Sequence, residues 1–289
     1  MLFLGVDAGA TRCRARLRDA SGRILAEAEG PAGNIYVDHG QAVEAIRATC
    51  DAALARAGVG DRAEVALGMG IAGYQSSASA PRLAQAFAGF AKLALGNDAA
   101  TACLGAHGGR DGGLIIAGTG SAGVARVAGQ ETVVGGRGFL LGDDGSAARV
   151  GADALRAALR AHDGLAEPTA LTRALLARFE AGANGAVQWA PQATPADYGA
   201  LAPMVMQAAA QGDRVGLECA NAAARAVAAL AQALEVLGAA RLALVGGLGE
   251  PLRLFLDAEL SAKLKPPTWD ATDGAILLAG GRLPGERGR

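Results

Sequence analysis

Asp7, Gly9 and Thr11 fall within one short stretch near the start of the chain, LFLGVDAGATRCRARL, residues 2–17. An Asp at the end of an apolar strand can hold Mg²⁺ through water, a glycine lets backbone N–H groups approach phosphate oxygens, and a Thr adds a hydroxyl donor. Taken alone, the segment also reads as an ordinary β-hairpin with a glycine turn. A second copy separates the two readings. From Gly113, GLIIAGTGSAGVARVAG again gives an apolar strand, a glycine turn and a returning strand, with Thr119, Gly120 and Ser121 at the tip. Two such turns could clamp the phosphates of a nucleotide from both sides, which one hairpin does not require. The second copy has no carboxylate, since Ala117 and Gly118 stand near the equivalent of Asp7. Only the first half is equipped for a metal.

Other residues offer chemistry with a plainer alternative beside each. Asp98, in GNDAA, follows a short apolar strand. Asn97 or Asp98 can cap the next helix, or Asp98 can act as a general base, because strand ends in open α/β sheets border the ligand crevice. Phosphoryl transfer asks mainly for positioning and charge neutralisation, so one carboxylate, one Mg²⁺ and donor loops suffice. In VVGGRGFLLGDDGS, residues 133–146, Asp143 and Asp144 form a solvated turn, or a carboxylate there joins the bare backbone of Gly135, Gly136 and Gly138 in binding sugar hydroxyls. Asn34 and Tyr36 are candidates for the same pocket. Gly246 and Gly247 end a strand before a helix, where an adenosine can lie across bare backbone. His39, His107 and His162 are isolated and take no role, and Trp189 and Trp269 read as packing residues.

The elements that must position these groups follow from periodicity. Residues 23–29 alternate as a third strand and residues 41–57 form the first helix. A buried strand over 65–71 ends in AGYQSSAS, and Pro81 opens a helix to Phe90. A short strand over 92–95 stops at Gly96, and a helix covers 99–106. The glycine-rich loop 133–146 leads into a helix capped by Ser146. Helices cover 171–180 and 200–211, separated by a polar loop around Trp189 and Tyr198. Asp213 caps the longest helix, which carries Ala and Leu on most faces and reads as buried. A strand over 241–245, a helix after Pro251 and a last helix complete the chain. Strands, then helices, then strands call for a mixed sheet covered by helices, and the two similar openings make a weak internal repeat of long period.

Composition bounds the partners. At 289 residues, with 51% hydrophobic and 19% charged residues and a net charge of −1, the chain is long enough for two domains with their own cores. No basic block favours nucleic acid or a membrane surface. The scattered Cys13, Cys50, Cys103 and Cys219 contain no CxxC, which argues against structural zinc, an Fe–S cluster or a disulfide framework. The N-terminus lacks a basic n-region, and no apolar run reaches the roughly 20 residues of a transmembrane helix, so a cytoplasmic protein is expected.

Laid out in order, GVDAGAT, GNDAA, IAGTGS, VVGGRGFLLGDDGSA and VGG resemble the sugar kinases of the actin, Hsp70 and hexokinase superfamily. Within it the chain is similar to the amino-sugar kinase branch of the BadF/BadG/BcrA/BcrD ATPase family, which includes glucosamine and N-acetylglucosamine kinases. The likeness covers nearly the whole chain, including CRARL after the first turn, DYG near Tyr198 and GAILLAG at the end. It implies an α/β fold of two ribonuclease-H-like, actin-like ATPase domains, each a mixed five-stranded sheet flanked by helices, with a cleft between them. The domains would be 1–112 and 113–289, the last helix packing near the hinge.

The resemblance implies ATP, Mg²⁺ and an amino sugar as ligands, with phosphorylation of the sugar's 6-hydroxyl, and it is compatible with a homodimer. Gly9 and Thr11 would belong to the first phosphate loop, Thr119, Gly120 and Ser121 to the second, and Gly246 and Gly247 to the adenosine loop. Asp98 would be the catalytic base. Asn34, Asp98, Gly136, Arg137, Gly138 and Asp143 would contact the sugar, and Asp7 would hold Mg²⁺ through water. The first loop usually reads DGGGT in such kinases, so positions 8 and 10 here must tolerate the methyl groups of Ala8 and Ala10. Asp144 replaces the Glu or Gln that other members carry after the Asp of the GD turn. An ATPase activator of the same broad family is the rival reading. It needs cysteines placed to ligate a cluster at a dimer interface, and these four are poorly placed for one. A sugar-sensing regulator would need a helix-turn-helix before the first strand.

Overall fold

The computed structural model describes residues 1–74 and 76–284. In the first half, β1 (Leu2–Ala8), β2 (Cys13–Arg18), β3 (Ile24–Gly30), β4 (Val65–Ile71) and β5 (Lys92–Asn97) build one sheet in the order β3-β2-β1-β4-β5. The β1–β2 and β2–β3 pairs are antiparallel, whereas β1–β4 and β4–β5 are parallel. Helices α1 (His39–Arg56), α2 (Ser76–Ala86) and α3 (Asp98–Ala106) connect them. Period-2 alternation sorts the side chains. Leu4, Val6 and Ala8 of β1 and Cys13, Ala15 and Leu17 of β2 enter the core with Ile46, Cys50 and Ala53 of α1. Every residue of β4 is buried, as in a parallel strand covered on both faces.

The second half repeats the plan with β6 (Gly112–Ala117), β7 (Ser121–Val127), β8 (Gln130–Gly135), β9 (Leu242–Val245) and β10 (Leu264–Lys265), in the order β10-β9-β6-β7-β8. Read from the third strand of each set, both sheets run third, second, first, fourth, fifth. The repeat visible in two turns therefore extends to two whole sheets. Between β8 and β9 lie α4 (Ala147–His162), α5 (Ala170–Leu176), α6 (Ala183–Trp189), α7 (Pro195–Gly199), α8 (Ala202–Ala210) and α9 (Arg214–Val236). Helices α10 (Gly249–Leu252) and α11 (Ala258–Lys263) lead to β10, and α12 (Ala271–Leu278) closes the chain. Among the described residues no helix is long and apolar enough to cross a membrane.

Two compact units emerge: Met1–Leu114 with Ala125–Glu131 and Pro266–Arg289, and Ile115–Val124 with Thr132–Lys265. They differ from a division at 112/113 in giving residues 113–114 and two later segments to the first unit. For the closing segment the cause is glycine. A methyl group on Gly5 of β1 would overlap the Thr272 carbonyl, and one on Gly68 of β4 would overlap the Ala275 carbonyl, so α12 rests directly on strand backbone.

Several elements depart from the periodicity. Helix α2 starts at Ser76 and carries Pro81 inside it; of the AGYQSSAS segment, Gln75 lies outside the described residues. β8 runs to Gly135, so the glycine-rich loop begins three residues later than Val133. The stretch around Trp189 and Tyr198 holds α6 and α7, because four rings organise it. Phe139 stacks on Tyr198 at 5.2 Å between centroids, Trp189 meets Tyr198 at 4.9 Å and Phe179 meets Trp189 at 5.3 Å. Asp213 caps α9 as expected, accepting from Val215 and Gly216 N–H, but α9 buries one stripe of small residues and leaves its other side exposed.

Candidate active site

In the first unit the C-terminal ends of β1, β4 and β5 lie side by side, with Ala8 opposite Ile71 and Ile71 opposite Asn97. That register brings Asp7 and Asp98 to one edge of the sheet. Asn97 has extended backbone and caps α3, its side chain accepting the Ala99 N–H at 3.0 Å. Asp98 occupies the first turn of α3 and takes a second contact from the same N–H at 2.9 Å. The cap therefore belongs to Asn97. Partial burial pushes the Asp98 carboxyl up, the Ala99 N–H pulls it down, and the negative charge of Asp7 adds to the rise; the net shift is above the ordinary carboxylate value.

The first turn closes by Gly9 N–H donating to the Arg12 carbonyl at 3.0 Å, so Gly9 spends its own amide on the turn. The exposed Ala10 and Thr11 stand between the two residues of that bond. Gly33 N–H donates to the Gly9 carbonyl at 3.0 Å, Ala72 N–H to the Ala8 carbonyl at 2.8 Å and Ile35 N–H to the Ala72 carbonyl at 3.2 Å. These bonds set Asn34 beside the first turn. Asn34 Oδ1 accepts from Tyr36 N–H at 3.0 Å, which leaves the Asn34 amide to donate outward. Tyr36 is 80% exposed next to it. The methyl of Ala8 fits because residue 33 is glycine: a Cβ there would come 2.7 Å from the Ala8 Cβ.

Backbone bonds assemble the second unit's loops. Gly118 N–H donates to the Gly120 carbonyl at 2.9 Å, and the first amides of α4, those of Ala147 and Ala148, donate to the Gly118 and Thr119 carbonyls at 2.8 and 3.2 Å. Ser121 is buried and its hydroxyl donates to the Asp144 carbonyl at 2.7 Å, which fastens the glycine-rich loop. Gly136 N–H adds a bond to the Ser121 carbonyl at 3.1 Å. Asp143, at φ 60°, holds its carboxylate over Gly120, where a Cβ would lie 2.9 Å from Asp143 Oδ2. Gly246, at φ 101°, presses on Ala117 so closely that a side chain would overlap the Ala117 carbonyl, while Leu248 N–H donates to that carbonyl at 3.0 Å. Thr119, Gly136, Arg137, Gly138, Asp143, Gly246 and Gly247 thus border one set of loops. Gly9, Thr11, Asn34, Asp7 and Asp98 border the other.

Two arginines escaped the motif reading. Arg14 Nη2 donates to Asp7 Oδ2 at 2.8 Å, and Arg149 Nη2 donates to the Phe139 and Gly142 carbonyls at 2.7 and 3.3 Å, gripping the glycine-rich loop from α4. The signal for Arg14 was the alternation of Arg14, Arg16 and Arg18 along β2, which places three cations on one face of a strand.

Mg²⁺ keeps several waters and takes one or two carboxylates rather than an all-protein cage. Among the described residues no three His, Cys, Asp or Glu side chains group as metal ligands. The Asp7 side chain is 19% exposed and has one oxygen on Arg14. That donor set fits a hydrated ion held through water. All four cysteines are buried, and burial pushes the Cys13 and Cys219 thiols up to about 12, far from thiolate chemistry at neutral pH.

Residues 4–263 fit the profile of the BadF/BadG/BcrA/BcrD ATPase family. Glucosamine kinase GspK of Vibrio cholerae is 32% identical over 280 residues, covering 96% of this chain and 95% of that protein. A crystal structure from Chromobacterium violaceum, described as a candidate N-acetylglucosamine kinase, superposes with a TM-score of 0.88 at 34% identity, covering 96% of this chain and 98% of the other. A ROK-family glucokinase from Streptomyces griseus, solved with glucose and AMPPNP, shares the fold at a TM-score of 0.58 and 19% identity, covering 97% and 98% of the two chains. By the extent of the profile match and the identity to its relatives, the chain belongs to the BadF/BadG/BcrA/BcrD ATPase family.

Proposed function

We propose that this chain transfers the γ-phosphoryl group of ATP to the 6-hydroxyl of an amino sugar, glucosamine or N-acetylglucosamine. The observation that carries the reading is Asp98: a half-buried carboxylate at the end of β5, next to the capping Asn97, with its proton affinity raised by burial and by Asp7. The relatives named above support the substrate class.

Each group has a role in that reaction. Asp98 accepts the proton of the 6-hydroxyl as the oxygen attacks the γ-phosphorus and the bond to the bridging oxygen breaks to release ADP, and a carboxyl of raised proton affinity is the better base for it. The Asn34 amide, the bare backbone of Gly136 and Gly138, Arg137 and Asp143 bind sugar hydroxyls and so orient the nucleophile. The amides of the first phosphate turn, the Thr119 hydroxyl and the Gly120 backbone meet phosphate oxygens, and Gly246 and Gly247 accept the adenosine. When bound near Asp7, Mg²⁺ supplies positive charge to the phosphates. A panel of glucosamine, N-acetylglucosamine, glucose and mannosamine in a coupled ADP-release assay tests the proposal. Turnover on one of the first two should exceed that on glucose; equal rates on all four would sink the amino-sugar assignment.

A further inference from the structure

Asp7 is one member of an ionic ladder that runs from the first phosphate turn to the C-terminal helix. Arg14 lies directly opposite Asp7 in the β1–β2 register and donates to it at 2.8 Å. Its other terminal nitrogen lies 3.8 Å from Asp270. Arg16, the next arginine on that face, holds Asp270 through two contacts of 3.0 Å, Asp273 at 2.7 Å and Glu27 at 2.7 Å. Arg18 grips Asp273 with Nε at 2.8 Å and Nη2 at 3.0 Å. Asp270 is fixed further as the cap of α12, accepting from Asp273 N–H at 3.0 Å and from the Thr272 hydroxyl at 2.6 Å.

Three guanidiniums, of Arg14, Arg16 and Arg18, thus face four carboxylates, of Asp7, Glu27, Asp270 and Asp273, which leaves one negative charge in excess. Asp270 and Asp273 are each held by two arginines, and Glu27 is more than half exposed. Asp7 is the part-buried carboxylate with a single guanidinium, which binds one oxygen. Its other oxygen is the place where the excess charge can meet a cation.

Resting on the kinase reading above, we propose that Arg14 is a positioning residue: it fixes the Asp7 carboxylate so that the free oxygen faces the hydrated divalent cation of the nucleotide, and Asp270 in turn fixes Arg14. Two effects oppose each other. The positive charge of Arg14 repels a cation, while the bond it makes removes the rotational freedom of Asp7. Asp270 and the excess carboxylate offset the repulsion, and a contact through water depends strongly on direction, so orientation wins. Partners that orient a metal's ligands typically contribute about tenfold to a hundredfold in metal affinity.

The test uses the full chain and the variants Arg14→Ala, Arg14→Gln and Arg14→Lys. Mn²⁺ binding in the presence of ADP is read by electron paramagnetic resonance, beside ADP binding without metal, the melting temperature, and KM for sugar and for Mg²⁺. Arg14→Ala and Arg14→Gln should weaken Mn²⁺ about tenfold or more and raise KM for Mg²⁺ in parallel. Metal-free ADP binding and KM for sugar should change less than about twofold, and Arg14→Lys should recover most of the loss. Unchanged or tighter Mn²⁺ binding in Arg14→Ala would overturn the assignment. So would a parallel loss of metal, ADP and sugar binding with a lowered melting temperature in all three variants, which marks a purely structural arginine. A wild-type chain that binds Mn²⁺ and ADP yet phosphorylates no amino sugar overturns the kinase reading alone, and the Mn²⁺ comparison still decides the role of Arg14.

Discussion

The two glycine turns start from the same strand–turn–strand plan in sheets of the same order, yet they are held by different forces. The first adds charge to its backbone bonds: Asp7 on Arg14, and beyond it the ladder to Asp273. The second is held by backbone, its carbonyls taking the first amides of α4 and its Ser121 hydroxyl closing on Asp144. A charged turn can bind a cation and tune a neighbouring carboxyl. Neutral hydrogen bonds close the second turn, and the Asp143 carboxylate stands over its Gly120. On the proposed function, the duplicated architecture divides into a reacting half and a holding half.

The sharpest test of that division is Asp98→Asn. Loss of a general base should lower kcat by about 10²- to 10⁴-fold in the coupled assay, with KM for sugar little changed. Turnover within a few-fold of wild type would remove the base from the first half altogether. The same variant should gain stability at neutral pH. A carboxyl whose folded pKa stands above its ordinary 3.8 contributes stability below that value and loses it as pH rises through the folded pKa, so replacing it by a neutral amide removes a penalty. Calorimetric melting of both proteins at pH 7 should place the Asn variant higher.

Next in size is Asp273→Ala. Arg18 is 4% and Asp273 1% exposed, so the variant leaves a buried guanidinium unpaired, a loss of about 3–5 kcal/mol. The urea midpoint should fall, and hydrogen exchange should rise first in α12 and β2. Protection lost first in α4 and α9 would show that the ladder does not hold the first half.

A smaller effect comes from pairing Asp7→Asn with Thr119→Ala. Asp7→Asn should weaken Mg²⁺ dependence by about tenfold to a hundredfold, whereas Thr119→Ala should raise KM for ATP by roughly tenfold, the worth of one hydrogen bond to a charged group, without moving the Mg²⁺ requirement. Asp7→Asn should also shift the acid limb of kcat. The base must be ionised, so kcat falls as pH drops through the Asp98 pKa; removing the neighbouring negative charge lowers that pKa and moves the limb to lower pH. Equal Mg²⁺ shifts in both variants would erase the contrast between the turns.

Much of this contrast was legible in the residues. The apolar run, glycine and hydroxyl mark each turn by local chemistry alone, and the missing carboxylate of the second is a matter of reading Ala117 and Gly118. Local signals also set Ser146 and Asp213 as caps, and both cap. What local patterns could not show depends on distant partners. Ser121 reads as a phosphate donor until Asp144, in a loop after the next strand, takes its hydroxyl. The partners of Arg14 and Arg16 come from the start of α12, more than 250 residues later, with Asp270 and Asp273. The helices α6 and α7 lack a long apolar period and form because Phe139 and Phe179 reach Trp189 and Tyr198.

The smallest effect probes the holding half. Ser146 is fully buried and caps α4, its hydroxyl accepting from Arg149 N–H at 3.1 Å, and the two residues after it carry the amides that bind Gly118 and Thr119. Ser146→Ala removes the cap, a loss of about 1 kcal/mol, and loosens the first turn of α4 together with Arg149, whose side chain holds the Phe139 and Gly142 carbonyls. Both the second phosphate turn and the glycine-rich loop then lose rigidity from a single hydroxyl. KM for ATP and KM for sugar should rise together by a few-fold while Mg²⁺ dependence and the acid limb of kcat stay where they are. A shift in either of those would mean that the second turn also sets the charge of the reacting half, and the division between the two turns would have to be redrawn.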